Sequence, residues 1–397
     1  MIDELFASTE ALDEIRLLRE GEDVVDALAR ATWSVLAEPG DGIAGALIHA
    51  LGAEEALRYA IDGTQREGAV DALLDTADAR VRRAVAEGRR RWTPRVEARA
   101  VRDAVRGARE VGAQLLLPSD DLWPHALDDL GANAPIALWV RGDPRRWAAT
   151  PRVSMVGARA SSGYGDHVAA ELAGDLAASG ALIVSGGAYG IDGAAHRAAL
   201  GVGGGTVAFL AGGVDRAYPA GHHGLLKQIA EEGAVISELP CGAAPTKWRF
   251  LARNRLIAAL GDVTVVVEAG WRSGSLNTAG HAASLGRPLG AVPGSITSAS
   301  SAGCHRLLRE YDAVCVTSAA DVRELCGMAF DGTPAGASVD PERVRVLDAL
   351  GGRTAQPTIE IARRSGLSVE RVLSHLGLLE LEGLVHPVGG GWRRSPS

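Results

Sequence analysis

Lysine is almost missing from this 397-residue chain: Lys227 and Lys247 stand against 39 arginines. Bases are also outnumbered by acids, and the formal net charge is -8. An acidic body excludes a protein that coats DNA over its whole surface, so any nucleic-acid site must be a local patch. Aromatic residues make up only 4% of the chain while glycine reaches 50 residues, a balance that suits a turn-rich α/β protein and not an all-β one. The four cysteines, Cys241, Cys304, Cys315 and Cys326, form no C-x-x-C pair, and no histidine cluster has zinc-ligand spacing. Reduced thiols in a cytoplasmic protein are the expectation. No apolar run approaches the roughly 20 residues of a membrane helix. The segment Met1–Glu20 carries six acids and no basic leader, so a signal peptide is not expected.

Apolar residues make up 47% of the sequence, ample for a packed core, and the length predicts two or three domains. Residues 1–110 read as a helical domain of the SAM or helix-hairpin-helix kind: Leu12, Ile15 and Leu18, then Leu28, Ala31 and Val35, repeat at helical spacing. Segment 80–109 holds 11 arginines; it fits a second nucleic-acid face, and it fits an exposed helix laced with i,i+4 pairs such as Arg83/Glu87 and Arg106/Glu110, which is the expectation there. From 111 to 328 short apolar runs alternate with helical patterns. Strands are predicted at Ile136–Val140, Val153–Val156, Leu182–Ser185, Thr206–Leu210, Val235–Ser237, Val263–Glu268, Leu289–Ala291 and Ala313–Val316. Helices are predicted between them, among them Gly165–Ser179 and Asp192–Leu200. This pattern predicts an extended Rossmann-like fold, a doubly wound, mostly parallel sheet that binds ligands at the carboxyl ends of its strands. Ala329–Pro341 reads as a linker. Residues 342–397 read as a winged helix, with helices at Thr358–Ser365 and Ser368–Glu382 around Gly366 and a wing at Val385–Pro387 and Gly391–Arg393. Its second helix carries Glu370, Glu380 and Glu382, so packing or partner binding is expected of it before DNA reading.

The segment Lys247–Arg255 crowds four cations, two aromatics and Asn254 into nine residues. Cations neutralise phosphates and rings stack on unpaired bases, so such a cluster fits a groove for single-stranded nucleic acid. It also fits the solvated start of an amphipathic helix. Three strand-to-helix junctions are rich in small and hydroxyl residues: Gly157–Gly165 with Arg159, Ser185–Asp192 with Gly186 and Gly187, and Arg272–Thr278 with Ser273, Gly274 and Ser275. Each could present backbone N–H groups and a helix N-terminus to an anion. Three in a row predict a polynucleotide backbone in place of one mononucleotide. None is a G-x-G-x-x-G fingerprint. Asp192 and His196 lie four apart with no third ligand, so a helix cap and a structural hydrogen bond are expected; neither a cofactor nor a metal is.

These blocks carry a family resemblance. Val156-Gly157-Ala158-Arg159, Ser185–His196, Phe250-x-x-Arg253-Asn254-Arg255-Leu256-Ile257-Ala258, Glu268–Ala279, Val292-Pro293-Gly294-Ser295 and Gly303–Leu308 occur in the order found in the bacterial DNA-processing proteins DprA, also called Smf. The lead-in Leu122-Trp123-Pro124 through Gly142 resembles the family as well. The resemblance implies a single-stranded DNA-binding protein without catalysis, a homodimer, and loading of the RecA recombinase during natural transformation (competence) or recombination. It implies that Arg159, Lys247, Arg253 and Arg255 contact phosphates, that Phe250 stacks on a base, that Asn254 hydrogen-bonds in the groove, and that the Ser185–Gly187 and Ser273–Ser275 turns add backbone and hydroxyl contacts. Tyr189 and Leu251 depart from the family pattern. The rival reading, a nucleotide phosphoribohydrolase, calls for P-G-G-x-G-T-x-x-E; Gly203-Gly204-Gly205-Thr206 lacks its proline and glutamate.

Overall fold

The computed structural model describes residues 6–19, 21, 23–62, 79–328, 340–351 and 354–395. Two compact units divide the chain, Met1–Met328 and Ala329–Ser397. For residues 329–339 the expected linker lies outside the described residues.

The first unit starts with helices α1 (Thr9–Arg16), α2 (Val24–Leu36), α3 (Gly42–Leu51), α4 (Ala53–Asp62), α5 (Ala79–Trp92) and α6 (Ala98–Glu110). Asp23 and Asp41 cap α2 and α3 through their side chains, which satisfies N–H groups that a helix start leaves unpaired. Trp33 and Trp92 meet edge to face, 5.0 Å between ring centroids, inside a helical core with Leu36, Leu47 and Leu57. A second face, with Ile15, Leu28, Val101 and Val105, packs on Leu115 and Trp139 of the sheet that follows.

That sheet holds β1 (Ala113–Leu116), β2 (Leu138–Gly142), β3 (Arg152–Val156), β4 (Leu182–Ser185), β5 (Thr206–Phe209), β6 (Ala234–Ser237), β7 (Val263–Val266), β8 (Leu289–Ala291) and β9 (Val314–Cys315). Its order is β1-β2-β6-β5-β4-β3-β7-β8-β9. Strands β6 through β9 pair in parallel; β1 and β2 are antiparallel additions at one edge. The mostly parallel, doubly wound sheet is thus present, and β1 is the strand the sequence pattern did not yield. The intervening helices are α7 (Gly163–Ala178), α8 (Ile191–Gly201), α9 (His223–Glu232), α10 (Lys247–Leu260), α11 (Ser275–Ser284), α12 (Ala302–Glu310) and α13 (Ala319–Leu325).

Side chains alternate across each strand, and the two faces bury different helices. Val156, Val184, Phe209 and Val266 pack with α10 to α12, whereas Val153, Met155, Ile183 and Val265 pack with α7, α8 and α13. After β3 the chain adds β4, β5 and β6 on one side, then returns through α10 to place β7 on the other. The switch point therefore lies between β3 and β7, where sheets of this kind open a crevice at their carboxyl ends.

The second unit is a winged helix of α14 (Pro341–Ala349), α15 (Thr358–Ser365), α16 (Val369–Leu381) and the antiparallel pair β10 (Val385–Val388) and β11 (Gly391–Arg394). Gly366 ends α15 with φ 66°, the left-handed turn that glycine adopts at least cost. Val346, Ile361, Val372, Leu376 and Leu379 form its core. Among the described residues, no helix is long and apolar enough to cross a membrane.

Candidate nucleic-acid interface

A cleft of about 920 Å³ opens at the switch point. Gly157–Ala160 after β3 form one wall and Gly270 with Arg272–Ser275 after β7 another, while Thr246, Lys247, Phe250, Leu251, Arg253 and Asn254 of the α10 start cross between them. Of the residues expected in the site, the cleft gathers Arg159, Lys247, Phe250, Arg253, Asn254, Arg272, Ser273, Gly274 and Ser275. Ser185, Gly186, Gly187 and Arg255 do not line it.

Helix geometry separates the cations of α10. Thr246 caps the helix through its side chain, leaving Lys247 exposed at the first turn. Arg249 turns away to Glu38, with Nε donating to Oε2 at 2.9 Å and Nη2 to Oε1 at 3.1 Å. Hydrogen bonding to Arg249, more than any other cause, holds the Glu38 carboxyl below its ordinary range. Arg255, expected to contact phosphate, is paired inside the protein instead. Its guanidinium grips Glu238 with two bonds of 2.5 and 2.7 Å, and its Nε donates to the Asn133 carbonyl at 2.9 Å. With the pair buried, this arginine has no hand free for a phosphate; it ties α10 to the loop after β6.

Arg253 sits at the cleft floor, 5% exposed. One Nη donates to the carbonyls of Gly186 and Phe209. A Cβ at Gly186 would overlap this guanidinium, so glycine there is a matter of close approach. Burial lowers the Arg253 pKa to about 10, which still leaves a cation at neutral pH. Among the described residues lining the cleft the one carboxylate is Asp192, whose pKa burial raises.

Two of the three junctions are closed to an outside anion. At the first, the α7 start is already occupied by protein: Ser162 N–H and its hydroxyl both donate at 2.8 Å to the Glu268 carboxylate. At the second, Asp192 accepts from Gly186 and Ala188 N–H at 3.2 and 3.4 Å, and the buried Ser185 hydroxyl donates to the Met155 carbonyl at 2.6 Å. Internal carboxylates therefore fill two of the three expected anion cradles. Asp192 organises that loop, and the cap expected of it is replaced by this role. His196 bonds Thr206 Oγ1 at 2.7 Å, and among the described residues no cluster could hold a metal ion. The third junction faces the cleft. Ser273 and Ser275 hydroxyls lie 2.7 Å apart, and Asn254 Nδ2 braces the turn by donating to the Gly274 carbonyl at 3.2 Å.

Phe250 is half-buried and its ring is already in company: the Arg159 guanidinium carbon lies 4.4 Å from its centroid and the Tyr218 ring 5.4 Å. Tyr218, 49% exposed, lines the cleft and was missed. It lies late in the loop between β5 and α9, and its one sequence signal is an aromatic in a connecting loop of a chain poor in aromatics. Tyr189 lies outside the cleft lining; its hydroxyl accepts from Gly221 N–H at 3.2 Å and its ring packs edge-on against His222.

Comparison with known proteins agrees with this architecture. The sequence model of the family described as DNA recombination-mediator protein A matches residues 114–327, and that of the DprA winged helix domain matches 331–391. The putative DNA processing protein DprA of Mycobacterium tuberculosis is 49% identical over 301 residues, covering 71% of this chain and 77% of that protein. Protein Smf of Escherichia coli is 36% identical over 290 residues, covering 70% and 77%. The X-ray structure of DprA from Streptococcus pneumoniae superposes with a TM-score of 0.59 at 31% identity, covering 75% of this chain and 96% of the other. A match over more than half the chain, joined to half-identity with a relative of similar extent, settles its kinship: the chain belongs to the DNA recombination-mediator protein A (DprA/Smf) family.

Proposed function

We propose that this protein binds single-stranded DNA in the cleft between β3 and β7 and hands it to the RecA recombinase, as a mediator of recombination or of DNA taken up in natural transformation. The observation that carries the reading is local charge. An acidic chain gathers Arg159, Lys247, Arg253 and Arg272 around one cleft whose single lining carboxylate is buried. Phosphates would lie against Arg159, Lys247, Arg272 and the Ser273–Ser275 turn, with Arg253 supplying positive potential from beneath. Tyr218 offers the exposed ring for an unpaired base, and Phe250 supports Arg159 from behind. A duplex presents its bases stacked and paired, so this combination favours single strands. The names of the relatives, a recombination mediator and DNA-processing proteins, support the same role.

The protein acts by binding, in the cytoplasm, without catalysis and without a cofactor. We further infer a homodimer formed over the region Asp262–Ala313, where Trp271, Ile296 and Tyr311 stand exposed on the surface. The test is an equilibrium titration with single- and double-stranded oligonucleotides of one sequence. Preference for the single strand is expected; equal affinity for both would reject the reading.

A further inference from the structure

The arginines of α5 and the turn after it take no part in the cleft, yet they adjoin the helix that crosses it. Arg95 Nη1 lies 3.2 Å from Glu38 Oε1, and the same carboxylate receives Arg249 of α10 at 2.9 Å. One acid thus serves two arginines, and the cluster keeps a positive excess. Next to it, Arg91 Nη2 reaches Asp41 Oδ2 at 3.1 Å, but that oxygen also accepts from Trp92 Nε1 at 3.0 Å, and the other oxygen caps α3. Arg90 extends the series with its side chain 74% exposed, and Glu87 stands 3.9 Å away. Between Lys247, which lines the cleft, and Arg249, which meets Glu38, the chain carries Trp248, 67% exposed. Packing gives no reason for a bare indole there. Rings interleaved with cations are what a sequence-tolerant single-strand track requires.

We propose that a single strand held in the cleft continues past Trp248 onto the Arg95, Arg91 and Arg90 surface, so that the N-terminal helices form a second stretch of the nucleic-acid track. This rests on the single-strand reading above. The track makes long strands bind more tightly, and with more salt dependence, than strands that only fill the cleft.

The experiment compares oligonucleotides of about 6 and about 20 nucleotides, within and beyond the roughly 4–16-nucleotide site size of one groove, on the full chain across a salt series. The Arg90→Ala/Arg91→Ala/Arg95→Ala variant should bind the short strand as the wild type does, which also reports an intact fold. For the long strand its log–log salt slope should fall by about 0.7 for each phosphate left without its arginine. Trp248→Ala should weaken the long strand at least about fivefold with little change in slope. Equal loss at both lengths, or none at either, overturns the second stretch and leaves that face to an acidic protein partner. Failure of the wild type to bind either strand would instead reject the single-strand reading itself.

Discussion

Replacing Arg255 by alanine should damage the fold and spare the proposed single-strand site. The side chain is 6% exposed and its partner Glu238 8%, with two bonds of 2.5 and 2.7 Å between them and a third from Nε to Asn133 at 2.9 Å. Alanine would strand a buried carboxylate without its counter-ion. Breaking such a pair from one side costs about 3–5 kcal/mol. The unit Met1–Met328 has an unfolding entropy of about 2.1 cal/mol/K per residue, so each kcal/mol lowers its midpoint by about 1.5 °C and the whole effect is about 4–7 °C. Replacing both partners, as in Arg255→Met/Glu238→Leu, should recover most of that loss, because the buried charge is then gone as well. Calorimetric melting gives the first quantity; a single-strand titration below the melting range gives the second, and affinity should match the wild type. An Arg255→Ala protein that melts normally but binds single strands more weakly, with a smaller salt slope, would return Arg255 to the groove.

Tyr218→Ala should cost about 1–3 kcal/mol of single-strand affinity, the range for one stacked base, with the salt slope unchanged; a changed slope with no loss at low salt would contradict that role. Burial lowers the His196 pKa to about 3, so the unfolded chain takes up a proton that the folded chain refuses. Stability from this residue is therefore complete above its unfolded pKa of about 6.5 and falls as pH drops toward about 3, by up to about 1.4 kcal/mol per pH unit. Denaturant melts of wild type and His196→Asn between those limits should diverge less steeply with acid in the variant. Deleting 335–397 should leave single-strand affinity intact, since the cleft is built within the other unit; loss of binding would transfer the site to the winged helix. Incubation with AMP should release no adenine, and its appearance would revive the phosphoribohydrolase reading.

Much of the fold was legible because parallel strands are continuous apolar runs. Leu182–Ser185 and Leu289–Ala291 match residue for residue, and Thr358–Ser365 does so in the second unit. Strand β1 was not legible: its four residues follow an arginine-rich helix and gain their identity from antiparallel pairing with β2. The residues around the cleft were legible as a neighbourhood; which of them face it was not. Nine residues of helix make about two and a half turns, so the cations of Lys247–Arg255 cannot share one face. Local sequence shows that they are cationic; only the tertiary structure shows that Arg249 and Arg255 meet Glu38 and Glu238. The anion cradles failed for the same reason at longer range. Ser162 and Glu268 lie 106 positions apart, and nothing near either marks the carboxylate as the occupant of the α7 start.

If the cleft holds a single strand, Arg159 and Lys247 are its exposed phosphate contacts. The salt dependence of single-strand binding, measured side by side for the wild type and Arg159→Ala/Lys247→Ala, tests it most directly. The double variant should show a log–log slope lower by about 1.4, two phosphates at about 0.7 each. Identical slopes and affinities in the two proteins would contradict it.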